Sequence, residues 1–222
     1  MPQAPISVVV PVRNGARFIG EALRSIFDQT VQPNEVIVVD DGSTDDTAAQ
    51  VSQFPNVIYV RQPPLGQSAA RNHGIRLATK SYLSFLDADD FWLPNKTELQ
   101  LDALSRNASL DCVTGQMVNF RDTASGERLL LSPPAVVNLP SLMLIRRAAF
   151  LKIGAYSLEI KLGEALEWWA RAIDGGLKSE ALQTVVLMRR IHGTNIGLTT
   201  PEPMRHYLRI LHTIIQRRRG QK

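Results

Sequence analysis

Three carboxylates crowd into four positions at Asp87-Ala88-Asp89-Asp90, directly after the apolar run from Tyr82 to Leu86. Like charges this close repel one another unless a cation or hydrogen-bond donors compensate them. Hard oxygen ligands of this kind suit magnesium or manganese, and an ion held by only one or two carboxylates keeps coordination sites for the oxygens of a diphosphate. A second acidic run, Asp40-Asp41-Gly42-Ser43-Thr44-Asp45, follows the apolar stretch Val36 to Val39. Asp40, ending a buried strand, is expected to face the crevice beyond the sheet and to accept a hydrogen bond from a nucleobase or ribose. Asp45 and Asp46 read as acids of a first helical turn, stabilised by the helix dipole, with the hydroxyls of Ser43 and Thr44 able to cap that helix.

The elements that must hold these groups follow from the apolar periodicity. Ile6 to Val10, Val36 to Val39, Val57 to Val60 and Tyr82 to Leu86 are short β-branched or aromatic runs, as expected of four buried strands. Between them, Phe18, Ile19, Ala22, Leu23, Ile26 and Phe27 recur at helical spacing, a helix starts near Thr44, and Gln67 to Ala78 reads as a third crossover helix. Strand and helix in alternation with short connections predict an α/β fold with a mostly parallel sheet, whose ligand sites lie at the carboxyl ends of the strands. Pro94 opens an amphipathic helix to about Ser105, Val113 to Phe120 and Leu142 to Ile145 read as further strands, and 121–139 as a hairpin or loop excursion.

A chain of 222 residues with 44% hydrophobic content supports one ordinary core. No stretch approaches the roughly 18 apolar residues of a membrane span, and the first residues lack the charged start of an export signal. One cysteine, Cys112, allows neither an internal disulfide nor a cysteine metal cluster, which fits a reducing, cytoplasmic setting. The net charge of +4 is unevenly placed: residues 204–222 hold six Lys/Arg and no Asp/Glu, so the rest, nineteen basic against twenty-one acidic residues, is faintly acidic. That distribution argues against nucleic acid as a partner of the body.

Four motifs taken together, Val8-Val9-Val10-Pro11-Val12-Arg13-Asn14, Val39-Asp40-Asp41-Gly42-Ser43-Thr44-Asp45, Gly66 with Ala69-Ala70-Arg71-Asn72-His73-Gly74, and Leu86-Asp87-Ala88-Asp89-Asp90, resemble the family 2 glycosyltransferases. The resemblance runs from about Ile6 to Gly197. It implies a GT-A fold in one domain, residues 1–203, with a nucleotide-sugar-binding half over about 1–110 and an acceptor-binding half over about 111–203. It also implies inverting transfer of a sugar from a nucleoside-diphosphate donor, a UDP-sugar being favoured, with Mn2+ or Mg2+ as cofactor. Carried over by position, Pro11, Val12 and Arg13 line the base pocket, Asp40 bonds the nucleobase, Gly66 and Arg71 belong to the donor site, Asp87 and Ala88 contact the ribose region, and Asp89 ligates the metal. Asp90 is expected to cap the following turn. Arg13 stands where an aromatic residue is frequent and Pro64 where an asparagine often stands, which bears on donor identity.

Inverting transfer needs a carboxylate to take the acceptor proton. Leu162-Gly163-Glu164-Ala165-Leu166-Glu167-Trp168-Trp169-Ala170-Arg171 is similar to the family's Glu-Asp segment, but Ala165 replaces the aspartate. Glu164 is the first choice of base and Glu167, three residues on and expected on the same helix face, the second; neither being the base is the third reading. Trp168 and Trp169 are open between a sugar-stacking floor and core packing, and Arg171 reads as structural. Arg190-Ile191-His192-Gly193-Thr194-Asn195 resembles the family's closing motif, in which His192 binds phosphate or completes the metal shell.

In residues 204–222 the apolar positions 207, 208, 211, 214 and 215 form a stripe with arginines off it, the pattern of a helix that meets an anionic lipid surface or a protein partner, or that packs on the body. A peripheral position at the inner membrane face is thus a variant of the cytoplasmic expectation. The acceptor stays unspecified: glycan, lipid-linked, peptide or small molecule. The alternative to an enzyme is a nucleotide-sugar-binding protein without catalysis on the same fold, motivated by Ala165; a nucleotidyltransferase is disfavoured because residues 11–20 lack the lysine of a phosphate loop.

Overall fold

In the computed structural model, residues 2–160, 162–193, 195 and 203–220 are described. Thr194 of the closing motif, Gly197 at the end of the resemblance, and Gln221 and Lys222 lie outside them.

The central strand, β1 (Gln3–Val12), is apolar on both faces because both faces are covered. β2 (Gln32–Asp40), β3 (Val57–Arg61) and β4 (Tyr82–Phe85) run parallel to it, in the order β3-β2-β1-β4. The sheet continues through β9 (Leu144–Arg146), β6 (Cys112–Asp122), β10 (Ser179–Arg190) and β5 (Phe91–Trp92). β9 is antiparallel to both neighbours, β6 and β10 are parallel, and β5 is antiparallel to β10. β7 (Arg128–Leu130) and β8 (Ala135–Val136) fold back on β6, so the 121–139 excursion is a hairpin.

Alternate residues of β1 feed two cores. Ile6, Val8, Val10 and Val12 pack with Ile19, Leu23 and Ile26 of α1 (Ile19–Phe27), Val51 of α2 (Thr47–Val51) and Leu104 of α4 (Lys96–Arg106). Val9 on the opposite face packs with Ala70 and Ile75 of α3 (Gln67–Leu77), Phe150 of α5 (Arg147–Ile153), and Trp168 and Trp169 of α6 (Glu164–Asp174). Both tryptophans are therefore core: Trp168 stacks on Phe150 at 4.8 Å and donates its indole N–H to Gly154 O, and the stacking-floor reading is withdrawn. α3 approaches the sheet at Gly74, where a Cβ would lie 2.4 Å from Val9 Cγ1. The last described helix, α7 (Pro203–Gly220), lays Ile210 and Ile214 on Ala170, Ile160 and Leu166.

Buried polar groups tie these layers together. Glu35 on β2 accepts hydrogen bonds from Ser7 Oγ, Thr79 N and Thr79 Oγ1. Burial opposes its charge, but these bonds outweigh burial and hold its carboxyl below the usual range. Lys96, fully buried at the start of α4, donates to Ser84 Oγ (3.0 Å) and Gln100 Oε1 (2.8 Å) and lies 4.0 Å from the Trp92 ring centroid. A third, longer contact runs to Met143 O at 3.4 Å, and desolvation lowers the amine to about 7.

Three expectations change. The hydroxyls after Asp41 do not cap α2: Ser43 Oγ accepts from Asn14 N, and Asp45 Oδ1 accepts from Thr47 N and Thr47 Oγ1. The α4 helix begins at Lys96, two residues after Pro94, and β10 and α5 are additional elements.

Candidate active site

The carboxyl ends of β1 and β4 open into a cleft of about 360 Å³ lined by Pro11, Val12, Arg13, Phe18, Asp87, Ala88, Asp89 and His192, among others. Asn14, at φ +51, turns the chain out of β1, and its Oδ1 accepts from Thr44 N. This left-handed turn locks the β1 end to the loop after β2, with Pro11, Val12 and Arg13 lining the cleft.

A second cleft adjoins it, lined by Arg71, Asp90, Gly163, Glu164, Ala165, Arg189 and Tyr207, and the two share Gln67, Asp87, Asp89 and Asn195. Arg71 is the hinge of this arrangement. Its Nη2 lies 2.7 Å from Asp87 Oδ1, and its Nη1 pairs with Glu164 Oε1. One guanidinium thus spans the acidic strand end and the start of α6. Burial alone would lower the pKa of Arg71, but the charges of Asp87 and Glu164 outweigh it and hold the group above its ordinary value. Gly163, at φ +86, precedes α6 and places Glu164 in its first turn, where the helix dipole favours a carboxylate.

Asp89 accepts from Asn195 Nδ2 at 3.1 Å and lies 3.0 Å from His192 Nε2, while the His192 ring stacks on Phe18 at 4.8 Å. Burial and the neighbouring Asp87 charge push the Asp89 carboxyl above its usual range despite the His192 contact. A cation would relieve both effects. Among the described residues no group of three or more His, Cys, Asp or Glu side chains stands where it could hold a metal alone, so an ion here would take one or two carboxylates and complete its shell with substrate oxygens, as magnesium does. The donor set fits that mode.

Asp90 does not cap the turn that follows. Its Oδ1 accepts from Arg190 N at 2.8 Å, and burial with the charges of Asp89 and Asp87 raises its carboxyl well above the ordinary value. The Arg190 side chain pairs with Glu21 on α1 and Asp122 on β6 and donates from Nε to Asp89 O. Asp40 is turned inward, accepting from Ser43 N at 2.7 Å and Tyr59 Oη at 2.5 Å, and lines neither cleft. Gly66 also lies off both linings: at φ +97 it makes the turn into α3 and donates its N–H to Asp41 Oδ2.

Glu164 and Glu167 part company. Glu164 opens to the second cleft beside Ala165, whereas Glu167 is held by Arg171 Nε at 2.9 Å and Arg217 Nη1 at 3.1 Å, under α7. Although the two lie in the same first turn, Glu167 does not line the second cleft, its carboxylate being claimed by Arg171 and Arg217. Sequence reading missed Gln67, Phe18, Ser141, Arg189 and Tyr207; Gln67 Nε2 donates to Asp87 Oδ1, and Ser141 Oγ accepts from Asp87 N. Only Gln67, one residue after the glycine of a recognised motif, had a local signal.

A nucleotide-sized cleft at the switch point of a parallel sheet, an acidic turn at its mouth and a carboxylate beyond it are the marks of a GT-A glycosyltransferase. Residues 7–154 match the model of glycosyl transferase family 2, and the chain belongs to that family. Chondroitin synthase of Escherichia coli is 36% identical over 112 residues, 49% of this chain and 16% of its own length. The teichuronic acid biosynthesis glycosyltransferase TuaG of Bacillus subtilis, itself a putative assignment, is 29% identical over 59% of this chain and 54% of its own. TarS of S. aureus, solved with UDP-GlcNAc, shares the fold at a TM-score of 0.76 and 20% identity, covering 95% of this chain and 65% of that one. The chain spans about a sixth of the length of the first curated relatives it matches.

Proposed function

We propose that the protein transfers a sugar, with inversion, from a UDP-sugar to a hydroxyl of an acceptor bound in the second cleft. The observation that supports this best is the sharing of Asp87 and Asp89 by the two clefts, with Arg71 tying Asp87 to Glu164. The backbone of Pro11 and Val12 and the guanidinium of Arg13 would hold the base, and Asp87 the ribose region. Asp89, backed by His192 and Asn195, would hold Mn2+ or Mg2+, which neutralises charge developing on a leaving diphosphate.

Glu164 takes the proton of the acceptor hydroxyl as that oxygen bonds the anomeric carbon and the bond from carbon to diphosphate oxygen breaks, releasing UDP. Arg71 fixes the carboxylate, leaving Glu164 Oε2 for the acceptor. The test is UDP release from UDP-GlcNAc and UDP-Glc with manganese. Glu164→Gln is expected to lower turnover at least about a hundredfold with donor binding kept, as loss of a general base does; Glu167→Gln is expected to turn over like the parent. Inactivity of Glu167→Gln instead would reassign the base. Donor binding without turnover in the parent protein would support the binding-protein reading motivated by Ala165.

A further inference from the structure

α7 has an apolar face that stays exposed among the described residues. Ile210 and Ile214 point into the body, and Arg217 and Arg218 reach Asp174 at 2.8 and 2.9 Å. On another face, Met204, Leu208, Leu211 and Ile215 are each 46–68% exposed. Their spacing of four, three and four residues puts them on one line along the helix. At 100° per residue, Arg205, Arg209 and His212 fall on the adjoining strip, and no acid occurs between 203 and 220. Glu159 is the one carboxylate that lines the shallow depression shared with His206 and Arg209.

We propose that this face of α7 docks on an anionic bilayer surface, the leucines entering the headgroup boundary and the arginine strip meeting lipid phosphates. Such helices lie in the interface plane, and both ingredients, a continuous apolar line and basic residues beside it, are present. A second copy of the chain is a poorer occupant, since pairing two such faces would set arginine strips together with no acid on either helix to offset them.

The placement has a consequence for the site. Tyr207, on the same helix, lines the second cleft. α7 also packs on the turn before Glu164, where a Cβ on Gly163 would sit 2.7 Å from Ile210 Cδ1. Docking would therefore bring the second cleft close to the lipid surface, suiting an acceptor hydroxyl carried on a lipid; only this consequence rests on the proposed transfer activity.

The experiment is co-sedimentation of the full chain with vesicles of phosphatidylglycerol and phosphatidylcholine in equal parts, against phosphatidylcholine alone. Sedimentation with the anionic vesicles only, suppressed by 0.5 M salt, is expected. Leu208→Gln with Leu211→Gln is expected to lower partitioning at least about tenfold, and Arg209→Gln about fivefold, the weight of one basic residue near an anionic surface. Arg209→Gln also serves if the double variant fails to fold. No binding to either vesicle, binding unchanged in both variants, or a dimer in solution that the leucine changes dissolve would overturn the proposal. No outcome depends on turnover, so failure here and failure of the transfer reading are told apart.

Discussion

Asp89→Asn removes one charge from a turn that holds three carboxylates, and its effects on the free and the donor-bound protein are expected to differ. In the free protein the carboxamide oxygen can still accept from Asn195 Nδ2, while repulsion from Asp87 and Asp90 falls. The net change should stay within about 1 kcal/mol, or about 2–4 °C in melting temperature for a chain of this size. A UDP-sugar at a hundred times its Kd adds about 2.7 kcal/mol, which corresponds to about 5–11 °C. Thermal melts with UDP-GlcNAc, with and without manganese, read both quantities. The parent is expected to show the manganese-dependent increment and the variant to lose it at almost unchanged intrinsic stability. A variant that keeps the increment would refute the role given to Asp89. One whose free form melts 10 °C lower would show that the carboxylate is needed for folding.

Lys96 predicts a pH dependence of stability. Its folded pKa of about 7 lies below the ordinary lysine value of 10.5, so between those values the unfolded chain binds more protons and stability rises with pH. The rise approaches about 1.4 kcal/mol per pH unit, and urea melts at pH 7.5 and 8.5, before tyrosines titrate, should show it in the parent and not in Lys96→Met; equal slopes would mean the amine is charged in the fold. Gly74→Ala is expected to cost about 1–3 kcal/mol by driving a methyl into Val9, and adding Val9→Ala should cost less than the sum of the two single changes. Strict additivity would disprove the contact.

Strands β1, β2 and β4 and the acidic turns were legible because a buried strand is a continuous apolar run ended by turn residues, as Val36 to Asp40 shows; β3 has the apolar run but not the expected burial, since it is the edge strand and leaves Ile58 exposed. β10 was not, since its first seven residues are partly or fully exposed and its register shifts twice, so no two-residue alternation survives. In the site, Asp87, Asp89 and His192 were legible through type and motif position. The inward turn of Asp40 was not: it depends on Tyr59 Oη, nineteen residues away. Nor was the separation of Glu164 from Glu167, which Arg71 and Arg217 decide from positions far from both in sequence.

Arg190 makes the family segment dependent on what lies beyond it. The match to glycosyl transferase family 2 ends at residue 154, yet the backbone and side chain of Arg190 hold both Asp90 and the carbonyl of Asp89, and Asn195 and His192 hold the Asp89 carboxylate. A fragment cut at the family boundary would keep the motifs up to Asp90 and lose both the closing motif with His192 and the clasp that sets the acidic turn. Joining residues up to that boundary to the following segment of a relative would therefore need the graft to bring its own arginine to the end of β10, against Asp90, Glu21 and Asp122.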